Sequence, residues 1–210
     1  THSWKDYPTR VRITRNTIIS LLSQMAQHGA AWRHTAMEAD LRATQLAGSA
    51  LPLSYRTTEK SRMIAFRGYA YTRTPSEVSG ALMTRYDEKT PQIWTVPLRD
   101  EIVPDLQVAA PKAGYLVPRA QAAMVGAKLR QHGIAYQEMR SIFARQNVEV
   151  FRATAVKFGA QSFEGRQTAA VQGEWQKEER LVDAGALYVP VNQPKARLVM
   201  ALLEPRAPDS

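Results

Sequence analysis

The chain has 210 residues, with 28 lysines and arginines against 19 acidic residues, four histidines and no cysteine, for a formal net charge of +9. That length is enough for one or two domains burying roughly 70% of the unfolded chain's surface, and 44% apolar with 22% charged residues argues against a disordered, collagenous or coiled-coil chain. Zero cysteines remove disulfides, thiolate zinc sites, iron–sulfur clusters and thiol nucleophiles together, so any metal must sit on His, Asp or Glu.

Taken in chain order, the first expected element is a helix. Asn16 is placed to cap it, and Ile18, Leu21, Leu22 and Met25 share one face at helical spacing, with Gly29 at its end. Thr35 and Glu38 form a capping box before Met37, Leu41 and Leu46, so the segment reads as a helical hairpin or one kinked helix ending near Gly48. From Arg62 to Arg73 the sequence turns aromatic and β-branched, which predicts a strand with Gly68 as a bulge or close approach. Residues 74–92, with Pro75, Gly80 and Pro91, are expected to be loop with at most one short helix. Ile93 to Leu98 reads as a short strand held to an edge or an end by Pro97.

A boundary is expected near Val103 to Pro111. Beyond it, Tyr115 to Val117 reads as a strand and Pro118 opens a helix that closes at Gly133. Val148 to Phe158 and Thr168 to Val182 read as long strands on either side of the polar turn at Ser162 to Arg166. Ala186 to Val189 is another short strand, and Asn192 and Pro194 introduce a helix with Ala196, Val199, Met200 and Leu203 on one face.

The basic excess raises nucleic acid as a partner, yet no Lys/Arg run exceeds two residues, and the arginines are scattered among apolar and hydroxyl side chains. A solvated mixed surface accounts for this pattern, so no nucleic-acid partner is expected. No apolar run approaches the roughly 20 residues of a bilayer-spanning helix, and no membrane span is expected. Phosphate-loop, dinucleotide and nucleophile-elbow motifs are all missing. Of the four histidines, His28, His34 and His132 read as surface or helix-end residues.

The remaining histidine, His2, stands in Thr1-His2-Ser3-Trp4-Lys5-Asp6-Tyr7. This segment resembles the strand-end His-Ser-aromatic stretch that supplies the third zinc ligand in zinc carboxypeptidases of the carboxypeptidase A superfamily. The likeness extends to a bacterial subgroup of these metallopeptidases through Asp6-Tyr7-Pro8-Thr9-Arg10-Val11, the run from Phe66-Arg67-Gly68-Tyr69 to Ser79-Gly80, Phe163-Glu164-Gly165-Arg166 and Leu202-Leu203-Glu204-Pro205. Together these segments cover nearly the whole chain in order.

The resemblance implies an exopeptidase that takes a peptide or protein C-terminus as substrate, and a Zn2+ ion held by an upstream HxxE pair together with His2. In such a site zinc lowers the pKa of bound water toward about 7 while a glutamate takes the water's proton. Among Glu77, Glu88 and Glu101, Glu77 is taken as that catalytic glutamate because it follows the tyrosine-rich strand and precedes Gly80, a suitable place for an active-site rim; in Trp94 to Asp100, which is similar to the family's glutamate-bearing strand, Pro97 stands where the alignment needs the acid. Arg73 is the expected carboxylate-binding residue, and Tyr71 is expected to line the substrate pocket.

The HxxE pair is not in this sequence, so the chain is expected to be a piece of a longer protein, inactive alone. The expected fold class is α/β. Residues 1–104 would form the C-terminal part of a carboxypeptidase-like α/β domain, and residues 105–210 a small α+β accessory domain. The family resemblance further implies a periplasmic or secreted parent. The competing reading is a non-catalytic carboxypeptidase-like module that binds peptides.

Overall fold

The computed structural model describes residues 5–208. Helix and strand are mixed, at 28% and 45% of the chain, which agrees with the expected α/β composition. The elements in order are α1 (Tyr7–Ala43), β1 (Ala50–Pro52), β2 (Tyr55–Thr57), β3 (Arg62–Pro75), β4 (Leu82–Leu98), β5 (Ile102–Pro104), β6 (Gln107–Ala109), β7 (Gly114–Val117), α2 (Arg119–Gln131), β8 (Gln137–Glu138), β9 (Phe143–Phe163), β10 (Arg166–Val182), β11 (Leu187–Pro190) and α3 (Ala196–Leu203). Two compact units result: one is the chain up to Leu51 together with the chain from Ala109 on, and the other is Pro52–Val108.

In the first unit the buried core lies around α2, β11 and α3. β11 is the middle strand of an antiparallel sheet, flanked by β7 and β8. Its Leu187 and Val189 are buried on the two-residue period of a strand. Ala196, Val199 and Met200 follow the helical spacing of α3 and are fully buried, as are Leu129 of α2 and Val191. Each large apolar side chain buried in this way stabilises by roughly 1.5–3 kcal/mol.

Helix α2 begins after Pro118 and ends as expected. Gly133 takes a positive φ of 60°, and the Ile134 N–H donates to the Leu129 carbonyl at 2.9 Å while the Gly133 N–H donates to Arg130 at 3.0 Å. This is the Schellman arrangement, in which a glycine relieves the left-handed position. Gln193 fastens the next turn: its side chain donates to the carbonyls of Ala135 and Pro190 and accepts from the Ala135 N–H.

β9 and β10 form a long two-stranded antiparallel ribbon, closed by Glu164 and Gly165, which both have positive φ. That is the turn geometry that matches strand twist. Both strands are longer than their sequence patterns indicate. The ribbon meets the core unit at Glu204, which is 2% exposed. The Glu204 carboxylate accepts from Arg206 Nε at 3.1 Å, from the Tyr115 hydroxyl at 3.4 Å and from Trp175 Nε1 of β10 at 3.5 Å. Burial first, and then the Glu204 charge, push the Tyr115 hydroxyl well above its ordinary range, so it remains a proton donor at neutral pH.

Two expectations are corrected. α1 is one uninterrupted helix, without the two-helix break. Its N-cap is Asp6, whose side chain accepts from the Thr9 N–H at 2.7 Å, so Asn16 and Gly29 both lie inside the helix. Pro8 in the first turn needs no N–H partner there, and an interior glycine costs only about 1 kcal/mol, too little to end a ladder that continues on both sides. The second correction concerns residues 74–92. β3 continues through Pro75 and β4 starts at Leu82; they pair from Pro75 opposite Leu82 to Ala70 opposite Asp87 and, after a bulge at residues 88–90, from Tyr69 opposite Pro91 to Arg62 opposite Leu98. Because β3 and β4 pair only with each other, Pro75, Pro91 and Pro97 leave no third strand without a donor.

Candidate functional site

The expected substrate residues lie on the β3–β4 hairpin of the Pro52–Val108 unit. Tyr71 stands opposite Tyr86, Arg73 opposite Thr84 and Phe66 opposite Trp94. Gly68 is buried although its neighbours on the strand are exposed, because the Trp94 indole lies across it. A Cβ on Gly68 would sit 2.4 Å from Trp94 Cε2. The close approach expected at this glycine is therefore a side-chain contact between the two strands.

Four aromatic rings gather around that contact. Phe66 stacks with Trp94 at 6.1 Å between centroids, Tyr71 meets Trp94 edge-on at 5.7 Å, and Tyr86 lies 5.9 Å from Tyr71 and 6.3 Å from Trp94. The Trp94 Nε1 donates to Gln92 Oε1 at 3.3 Å. The guanidinium carbon of Arg73 sits 5.4 Å from the centre of the Tyr71 ring, within cation–π range. Among the described residues Arg73 makes no salt bridge. Arg73 and Tyr71 are thus brought together, with an exposed guanidinium free to meet an anion beside an aromatic face. Trp94 and Tyr86 complete this cluster. Reading residues 74–92 as loop hides the pairing that sets Tyr86 across from Tyr71, and the cross-strand neighbours of Trp94 follow only from the ladder.

Glu77 is placed elsewhere, in the turn at the tip of the hairpin. Ser76 Oγ accepts from the N–H groups of Val78 and Ser79, and Gly80, with φ +69°, lets the chain reverse into β4. Glu77 is exposed, and among the described residues its carboxylate has no hydrogen-bond or ion-pair partner. It lies beyond the end of β3 at Pro75, in the turn, whereas Tyr71 and Arg73 lie within the paired strand, so the structure does not gather Glu77 with them.

Glu101 lies at the opposite end of the hairpin. It accepts from the Thr58 hydroxyl at 2.6 Å and from Lys60 Nζ at 3.0 Å. Thr58 first and Lys60 second hold its carboxyl below the usual carboxylate range. Pro97 is paired with Met63 within the ladder.

His2 lies outside the described residues. His34 Nε2 is 3.2 Å from Glu38 on the next turn of α1, and His28 lies 6.4 Å from Trp32 between ring centroids. Among the described residues no group of three His, Asp or Glu side chains is placed to hold a metal ion, so those residues do not by themselves fit a zinc site. Among the described residues, no helix is long and apolar enough to cross a membrane. Comparison with family models, with curated proteins and with solved structures gives no match to this chain.

Proposed function

We propose that the chain is part of a zinc-dependent metallocarboxypeptidase that hydrolyses C-terminal peptide bonds, with peptide or protein C-termini as substrates. The observation that carries this reading is the ordered series of segments from Thr1-His2-Ser3-Trp4 through Phe66 to Gly80 and on to Leu202-Leu203-Glu204-Pro205. In this reading His2 is a zinc ligand, the other ligands come from an HxxE pair on upstream polypeptide, and residues 1–104 complete the catalytic domain with residues 105–210 as its accessory unit. Since the described residues do not form a metal site, none of them is assigned as a zinc ligand.

Arg73 supports the binding half of the reading. Its guanidinium has the planar fork that takes a carboxylate through two hydrogen bonds, and Tyr71 supplies an adjoining aromatic wall. Glu77 is the proposed proton acceptor. The test uses the parent protein with its upstream sequence: His2→Ala is expected to remove bound zinc, measured by metal analysis, and Glu77→Gln to keep zinc while abolishing peptide hydrolysis. Unchanged zinc in the His2 variant would sink the assignment.

The second reading, a non-catalytic module that binds peptides, is favoured by Pro97, whose side chain can take no proton, and by the engagement of Glu101 with Thr58 and Lys60. Peptide binding without turnover by the parent protein would select it.

A further inference from the structure

Helix α1 carries an apolar stripe that nothing in its own unit covers. Val11, Ile18, Met25, Trp32 and Ala39 recur every seven residues, the spacing that keeps one seam of a helix facing a partner helix. The four large members of this seam are between 47% and 54% exposed. Gly29 lies one turn beyond Met25 on the edge of the seam, in a helix interior where glycine is unfavourable. A Cβ there would meet nothing within 4 Å, so the protomer itself gives no reason for a glycine.

The stripe is symmetric about the middle of the helix. Met25 is the midpoint of Tyr7–Ala43, and reversing the helix about it sets Ile18 opposite Trp32, Val11 opposite Ala39, and Leu22 beside Gly29. Val11 then meets the small Ala39, and the missing Cβ of Gly29 makes room for a leucine. Charges follow the same symmetry. Arg10 and Arg12 flank Val11 on either side, and Glu38 and Asp40 flank Ala39. In the reversed pair, Arg10 shares a flank with Glu38 of the other helix, and Arg12 with Asp40.

Within the protomer Arg10 Nε is buried without a hydrogen-bond partner. Among the described residues neither arginine makes a salt bridge, and nor does Asp40. One feature opposes the pairing: Arg15 and Arg33 would approach each other on one flank.

From this self-complementarity we infer that α1 is a homodimerisation helix, pairing antiparallel with α1 of a second copy about a two-fold axis at Met25. The contact is isologous, as closed dimers require. Met37 and Leu41 lie away from the seam and take no part, whereas Ile19 shares the flank of Arg12 seven residues before it. The inference is independent of the peptidase reading.

The test is the solution mass of the full chain by light scattering, expected at twice 23.5 kDa. Met25→Asp places two carboxylates on the axis and should give monomer with helicity retained by circular dichroism, whereas Met37→Asp should leave the dimer intact. Reversing Arg10 and Arg12 to Glu should weaken association by about tenfold or more, reversing Glu38 and Asp40 to Arg as well should restore it, and Arg33→Glu should tighten it. Because the chain has no cysteine, Met25→Cys gives a single thiol that a short bismaleimide should link between copies, while Gln27→Cys on the far face should not link. A monomer at every loading concentration, or a dimer indifferent to Met25→Asp and to the charge reversals, overturns the inference.

Discussion

Glu204 offers the sharpest test of how the first unit is held together. Replacing it with Ala removes a buried carboxylate that three side chains share. The bond from Arg206 Nε, at 3.1 Å, is charge-assisted and contributes about 1.5–3 kcal/mol. The Tyr115 and Trp175 bonds, at 3.4 and 3.5 Å, are long and contribute less. Loss of the acceptor also strands the Tyr115 hydroxyl, 8% exposed, at a cost of about 1–3 kcal/mol. Together these give about 2.5–6 kcal/mol for Glu204→Ala.

Glu204→Gln keeps one acceptor oxygen for Trp175 and Arg206, while its amide NH2 replaces the oxygen that faced the Tyr115 hydroxyl and must donate to it instead, so with the charge opposite Arg206 lost it should cost about 1.5–3 kcal/mol. Urea unfolding monitored by circular dichroism measures both variants, and a cycle with Arg206→Ala isolates the ion pair. Equal costs for the two variants, or a Glu204→Ala cost below about 1 kcal/mol, would refute the claim that this carboxylate joins the ribbon to the core.

Other outcomes follow from the same structure. Met200→Ala empties a fully buried position in α3 and should cost about 2–5 kcal/mol in the same unfolding assay. Gly68→Ala forces the Trp94 ring off β3 and should abolish the near-UV circular dichroism of the Phe66, Tyr71, Tyr86 and Trp94 cluster; an unchanged spectrum would mean that the indole does not rest on the glycine. Arg152 above all, and Arg180 with it, hold the Glu178 carboxyl below its usual range. Stabilisation from this carboxylate is therefore present above the unfolded-state value near 4.5 and is lost as pH falls through the lower folded value. Arg152→Ala should flatten the acid limb of the stability profile, and an unaltered limb would remove Glu178 as its source.

Much of the first unit was legible in the sequence because its signals are local. Pro118 and Gly133 bracket α2, Asn192 and Pro194 precede α3, and the apolar spacing of Ala196, Val199, Met200 and Leu203 already marks a buried face. Backbone preference and periodicity act over a few residues, so no tertiary knowledge is needed to read them. Asp6 could have been read as the cap of α1 by the same rules, but Asn16 and the interior Gly29 carried competing signals of similar size.

What only the tertiary structure decided are pairings between residues distant in sequence. Residues 74–92 read as loop because Pro75, Gly80 and Pro91 break local pattern, yet the ladder carries β3 through Pro75 and β4 through Pro91, leaving only the turn around Gly80 and a bulge at residues 88–90 outside it. That register brings Tyr86 and Trp94 to Tyr71 and leaves Glu77 apart from Arg73 at the tip of the hairpin. Likewise, the sequence shows Glu204 only as the acid that follows an apolar helix. The fold makes it the common acceptor of Tyr115, Trp175 and Arg206, because burial removes water as the competing partner.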